Sequence, residues 1–256
     1  MATKAKVTPI TSAPSAGKAK GTAVAVKAGS NIVNIQEMLR KQAAEMSDKI
    51  ATAGGDAIRL APGKFTLPDG STAASLQLVI VDFVSKNFFY EEDYDPKNIV
   101  PPACFAIGTN PRKLVASDNS PLKQSADCNS CPNNQFGSKG KGKACKNSRV
   151  LAVLPPDADA DTPLWTLTTS PTANTGFDTM VASIARVFNM PPVGVVVTVT
   201  MDSTSAYPVV VFSDPQPNAN VAEHFARQDE ARAMLNAEPD VSSFVKAPAK
   251  KTAGRR

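Results

Sequence analysis

The stretch "KFTLPDGSTAASLQLVIVDFVSKNFFY", residues 64–90, decides the fold class. Pro68, Asp69 and Gly70 mark a tight turn, since proline presets its own φ and glycine tolerates positive φ. Beyond the turn, β-branched, aliphatic and aromatic residues run from about Leu76 to Tyr90 without a glycine or proline, which predicts one long strand.

Working outward, "PPACFAIG" reads as a short strand entered through Pro101 and Pro102, and after a cysteine-rich excursion "SRVLAVLP" and "LWTLTT" read as two more. In "DTMVASIARVF", Met180, Ile184, Val187 and Phe188 recur at helical spacing until Pro191–Pro192 end the run. "VGVVVTVTMDSTSAYPVVVFS" gives two strands around a Ser/Thr/Asp turn, and "NVAEHFARQDEARAML" gives a second helix. Strands, then a helix, then two more strands is the order of a five-stranded oligonucleotide-binding (OB) barrel, whose helix lies between the third and fourth strands. The expected class is mainly β with helices (α+β), with an OB-fold-like barrel over residues 56–215.

Residues 1–29 are rich in Ala, Lys, Thr and Pro and lack aromatic residues, so they cannot repay the entropy of ordering and are predicted to be a disordered basic tail. From Ser30, a plausible cap, Ile32, Ile35, Leu39, Ala43, Met46 and Ile50 form one apolar stripe that Gly54–Gly55 terminate. Residues 30–55 therefore read as an amphipathic helix, packed on the domain or bound to a partner. Residues 216–245 form a helical segment, and 246–256 form a second basic tail.

The chain has 256 residues and is 42% hydrophobic, enough for a sizeable core. No run of about 18 apolar residues occurs and no apolar signal core opens the chain, which predicts a soluble, cytosolic protein without a membrane partner. Net charge is +5, yet the two tails carry five basic residues each and no acid. The span Cys104–Val150 holds eight Lys/Arg against two Asp, leaving the rest of the body strongly acidic. Local basic patches on an acidic body suit a polyanionic partner, with solubilisation by the tails as the plainer alternative.

The excursion itself, "CNSCPNNQFGSKGKGKACK" (residues 128–146), is almost devoid of apolar side chains. With Cys104 it spaces the four cysteines C-x23-C-x2-C-x13-C. A reducing compartment disfavours disulfides, leaving a metal or buried thiols. The C-x2-C pair lets Cys128 and Cys131 reach one ion from a single turn, Cys145 closes the loop, and Cys104 stands where the excursion leaves its strand. Structural zinc would supply the folding energy that the segment lacks in apolar core, with Gly137, Gly140 and Gly142 letting the backbone turn around it. Three cysteines with a different fourth ligand is the alternative; His224, the sole histidine, reads as a surface residue on a polar helix. Lys139, Lys141, Lys143, Lys146 and Arg149 crowd the same loop, partly balancing a doubly negative zinc tetrathiolate and partly offering phosphate contacts. Asn129, Asn133, Asn134 and Gln135 are assigned to turns.

"NFFYEEDYDPKNIVPPACFAIG", "SPLKQSADCNSCPNNQFGS" and "GKGKACKNSRVLAVLP" together resemble a family of bacteriophage proteins associated with replication and recombination genes and suspected to bind single-stranded DNA. The match covers roughly Phe65 to Asp214 and is specific in its middle third. The resemblance implies an OB barrel with a zinc-bound insertion over 104–149, with Cys104, Cys128, Cys131 and Cys145 as ligands. It further implies work in the host cytoplasm beside phage replication or recombination proteins. One departure stands out: many phage and bacterial single-strand binders end in an acidic recruiting tail, whereas this chain ends "KAPAKKTAGRR".

Binding single strands without sequence preference requires aromatic faces beside cations. Among Phe88, Phe89, Tyr90, Tyr94, Phe105, Phe136 and Trp165, the three with the most polar neighbours, Tyr90, Tyr94 and Phe136, are the stacking candidates. Lys86, Arg112, Lys113, Lys141, Lys143 and Arg149 are the phosphate candidates, and the acids of "YEEDYD" flank them. An enzyme is the first rival, through Asp157, Asp159 and Asp161 as magnesium ligands of a nuclease. A calcium loop fails there, because Thr162 and Thr168 stand where glycine and glutamate are needed. No phosphate-binding glycine loop is present, one histidine poorly supplies a catalytic triad, and the chain reads as non-enzymatic. The second rival is a virion packaging protein with nucleic-acid-binding tails. Oligomeric state and DNA-versus-RNA preference are left open.

Overall fold

The computed structural model describes residues 56–244, together with Ile35, Met38, Leu39, Lys41 and Gln42, which are helical. The chain divides into two units, Met1–Ala53 and Gly54–Arg256. Both predicted tails and most of the helix expected over 30–55 lie outside the described residues; of its apolar stripe only Ile35 and Leu39 are described.

The larger unit opens with a small antiparallel sheet, β1 (Arg59–Ala61), β2 (Lys64–Thr66) and β3 (Thr72–Ala73). The Pro68–Gly70 turn forms as the sequence predicts. Gly70 takes a φ of 84°, and Asp69 Oδ1 accepts the Ser71 backbone N–H at 2.8 Å.

The main sheet is built on β4 (Ser75–Phe89), flanked by β5 (Cys104–Gly108), β6 (Lys146–Leu154), β7 (Trp165–Thr168), β8 (Val195–Met201) and β9 (Val210–Pro217). The strand order is β7-β6-β4-β8-β9, antiparallel throughout. One edge of β4 pairs with β6 over Val79–Phe88. Its other edge pairs first with β8 over Ser75–Val79 and then with β5 over Ser85–Phe89. Fifteen residues are thus long enough to serve two partners in succession on one edge.

Alternation along β4 sends Leu76, Leu78 and Ile80 to one face, where they meet Leu151, Val153, Val197 and the Phe177–Met180–Ile184 stripe of α1 (Asn174–Val187). Val81 and Val84 join the opposite face with Ala152 and Leu154, under Ala231 and Leu235 of α3 (Gln228–Asn236), which follows α2 (Val221–Ala226). A register shift between Ile80 and Asp82 separates these two patterns, as a β-bulge does when it bends a strand. Arg232 of α3 reaches Asp82 at this bulge, Nε to Oδ2, 3.1 Å.

Two expectations change. The helix expected across residues 220–235 is split at Arg227, whose guanidinium holds Glu230 and donates to the Thr162 carbonyl at 3.0 Å. The sheet is also open where a closed barrel was expected, since among the described residues no ladder joins the outer strands β7 and β9. β7 has four residues, and β9 carries Pro215, Pro217 and Asp214 at a φ of 49°, so its outer edge lacks the N–H groups and regular backbone that a closing ladder needs. The architecture is a β-rich, mostly antiparallel α/β fold with few helices. No helix among the described residues is long and apolar enough to cross a membrane.

Candidate functional site

Cys104 opens β5 and Cys145 immediately precedes β6, so both are carried by the strands that flank β4. Pairing sets Cys104 opposite Phe89 and Asn87 opposite both Ala106 and Asn147. Side chains opposite one another share a face, so this end of the sheet carries a row of short and polar groups rather than core aliphatics. Cys128 and Cys131 come from the excursion, which is tied to β5 where Ser117 N–H donates to the Phe105 carbonyl and folded on itself where Cys128 N–H donates to the Leu114 carbonyl and Cys145 N–H to that of Asn133.

All four cysteines are buried, none is in a disulfide, and all four line one cavity of about 20 Å³ with Asn87, Phe89 and Asn134. Space of that size accepts roughly one water-sized occupant. Burial, reinforced by the neighbouring thiols, pushes the Cys128 thiol up to about 11 and the Cys145 thiol up to about 12. Among the described residues no group of three or more His, Cys, Asp or Glu side chains is placed so that it could hold a metal ion. What the four thiols share is the lining of one cavity.

The asparagines and glutamine of the excursion do turn work, as expected. Asn134, itself buried, donates Nδ2–H to the Cys128 carbonyl at 2.7 Å; Gln135 Nε2 reaches the Asn129 carbonyl at 2.7 Å; and Asn133 Nδ2 holds Gln124. Gly137 and Gly140 adopt positive φ and close a small hairpin through Lys139 and Gly142. Amide hydrogen bonds hold this segment where apolar contacts hold the sheet.

Two grooves flank this loop. The larger, about 470 Å³, is lined by Phe136, Lys143, Cys145, Lys146, Asn147 and Arg149 together with Pro111, Gly142, Pro171 and Asn174, and none of these is acidic. Phe136 is 81% exposed, with Lys143 Nζ 5.0 Å from its ring centroid. Cys145 belongs both to this wall and to the thiol cavity. The smaller groove, about 190 Å³, contains Tyr90, Tyr94, Ile99, Lys139 and Lys146, but also Glu92, Asp93 and Asp95. Three of the four acids of "YEEDYD" therefore belong to this groove, where Asp93 pairs with Lys139.

The predicted contact residues are distributed unevenly over these surfaces. Phe136, Lys143 and Arg149 line the larger groove; Tyr90 and Tyr94 line the smaller; Lys141, Arg112 and Lys113 are exposed. Tyr90 is half-buried, which raises its hydroxyl pKa, and Lys146 Nζ stands 5.4 Å from its ring centroid. Arg149 is buried and gives its guanidinium to Asp178 of α1 in a bidentate pair, Nε–Oδ1 3.0 Å and Nη2–Oδ2 2.7 Å, so its charge is committed within the fold. Lys86 is half-buried, its pKa lowered by that burial, and points its ammonium at the Ala237 carbonyl 3.4 Å away. Lys146, one of the loop cations that the sequence offered for phosphate but outside the six chosen candidates, lines both grooves. It is the first residue of β6, directly after Cys145.

Elsewhere, Asp159 Oδ1 accepts from the Asp161 N–H, the Thr162 N–H and the Thr162 hydroxyl, which makes the Asp157–Asp161 segment a self-capped turn. His224 is buried rather than on the surface: Nδ1 faces Asn218 Nδ2 at 3.0 Å and Nε2 faces the Ala158 carbonyl at 3.4 Å, so both ring nitrogens have partners inside the fold. The C-terminal end of the helical segment is pinned to the excursion where Glu238 accepts hydrogen bonds from Ser117 and Asn119. Comparison with protein-family models, with curated proteins and with solved structures finds no match to this chain.

Proposed function

We propose that the chain binds single-stranded DNA without marked sequence preference, through a groove whose wall is a zinc-organised loop. The observation that carries the reading is the larger groove: an exposed phenylalanine, three basic residues and no carboxylate, with Cys145 of the thiol cavity in its wall. Aromatic faces take any base, and cations beside them take the backbone, so this pairing suits unpaired strands rather than duplex. Of its three basic residues, Lys143 and Lys146 have ammonium groups available for phosphate, and Lys141 is exposed beside them on the same loop.

The connectivity supports an OB-type reading. With β4, β6, β7, β8 and β9 as its five strands, the order is third-second-first-fourth-fifth, with α1 between the third and fourth. OB folds bind oligonucleotides on the second and third strands and on the loops joining strands one to two and four to five. Here those are β6, β7, the cysteine-bearing excursion and the β8–β9 connection, which presents Tyr207 at 78% exposure.

Zinc is the ion that the donor set favours, because four buried thiols suit a soft tetrahedral centre and because a segment with so little apolar side chain needs a cross-link. Cys104, Cys128, Cys131 and Cys145 would hold it, and its role is structural. Protection of single strands during phage replication or recombination in the host cytoplasm, beside proteins of those processes, follows the resemblance of the sequence. A gel-shift comparison of single-stranded DNA, duplex and RNA at two salt concentrations tests the reading. Preferential, salt-sensitive retention of single strands supports it. Magnesium-dependent cutting of the probe, or retention of duplex alone, overturns it.

A further inference from the structure

Asn87 lies near the C-terminal end of β4, between β5 and β6, with 4% of its surface exposed, flanked by Ala106 on β5 and Asn147 on β6. Its Nδ2 is buried and has no acceptor. A buried position on a strand paired along both edges is a costly place for an orphaned amide. The same side chain lines the cavity that the four cysteines share. Cys128 is the sulfur within its reach.

We infer that Asn87 is a positioning residue of the metal centre, its Nδ2–H donating to the Cys128 sulfur once that sulfur is a metal-bound thiolate. The inference rests on the zinc reading above. Two positive charges on the ion leave a tetrathiolate centre doubly negative, and no lysine is among the residues that line the cavity. A fixed amide N–H on the β4 side of the cavity would spread part of that charge. A neutral thiol is a weak acceptor and a thiolate is a strong one, so the amide gains a strong partner when the ion is bound. Asn134, by contrast, spends its amide on the Cys128 backbone carbonyl and shapes the loop whether or not an ion is present.

The test compares the full chain with Asn87→Leu and with the smaller Asn87→Val, so that one misfit in the strand does not decide the outcome. Zinc affinity is read by competition with a chromophoric chelator, and the centre is read by cobalt substitution. Both variants should bind zinc about 10–100-fold more weakly, the range for loss of an outer-shell partner. Their sulfur-to-cobalt charge-transfer band should move to lower energy, while the d–d bands keep tetrahedral intensity. The metal-free variants should melt no lower than the metal-free parent, since an unpaired amide has been removed. Equal zinc affinity and an unmoved charge-transfer band in a folded variant overturn the assignment of Asn87. Absence of any thiolate-cobalt spectrum in the parent protein instead overturns the zinc reading itself, so the two failures are distinguishable.

Discussion

Arg149 and Lys146 sit three residues apart on one strand, yet their charges do different work. The Arg149 guanidinium is locked to Asp178, and hydrogen bonds to charged groups are worth about 1.5–3 kcal/mol. Arg149→Ala should therefore lower stability by about that amount in urea denaturation and leave the salt dependence of DNA binding nearly unchanged. Lys143→Ala and Lys146→Ala should do the reverse, each reducing the log–log salt slope by about 0.7 with little change in stability. A slope that falls with Arg149→Ala and not with the lysines would contradict the groove. Phe136→Ala should weaken single-strand binding by about 1–3 kcal/mol if the ring stacks, and its exposure makes the fold indifferent to the change. An unaltered affinity in a fluorescence titration would remove Phe136 from the interface. Residue roles of this kind were only half legible in the sequence. The thiol set and Phe136 announced themselves by spacing and by polar surroundings, whereas the partner of Arg149 lies 29 positions away and no local pattern points to it. His224 was misread for the same reason: its own helix is polar, and the groups that satisfy it, Asn218 and the Ala158 carbonyl, come from outside that helix.

At the scale of elements, β4 and α1 carry the structure, and both were legible. An uninterrupted run from Leu76 to Tyr90 became a strand over Ser75–Phe89, and the stripe through Met180 and Ile184 became the buried face of α1. Ile184→Ala should cost about 2–5 kcal/mol of unfolding free energy, because Ile184 is fully enclosed between α1 and the sheet. A cost below about 1 kcal/mol, the range of surface substitutions, would mean that α1 does not pack as described. What local patterning could not supply was the break at Arg227, which depends on the tertiary carbonyl of Thr162, and the open edge of the sheet. Strand order follows from sequence order and helix placement, but closure depends on whether two distant edges can exchange hydrogen bonds, and Pro215 and Pro217 remove donors from one of them. The bulge at Asp82 was equally silent, since a one-residue register shift leaves no compositional mark.

In the whole molecule, an acidic body carries a basic loop that has almost no core of its own. If an ion holds that loop, protein purified without chelator should contain about one equivalent of zinc for its four sulfurs, and removing the metal should lower the melting temperature and loosen the loop ahead of the sheet. Zinc below roughly half an equivalent, or a melting curve indifferent to chelator, would count against it. The most direct single measurement is a fluorescence titration of the zinc-loaded and the chelator-treated protein with oligo-dT at two salt concentrations. Binding that weakens with salt in the zinc-loaded protein, and is lost on metal removal while the sheet stays folded, is the predicted result. Equal affinity with and without the metal, or no salt-sensitive binding in either, would contradict it.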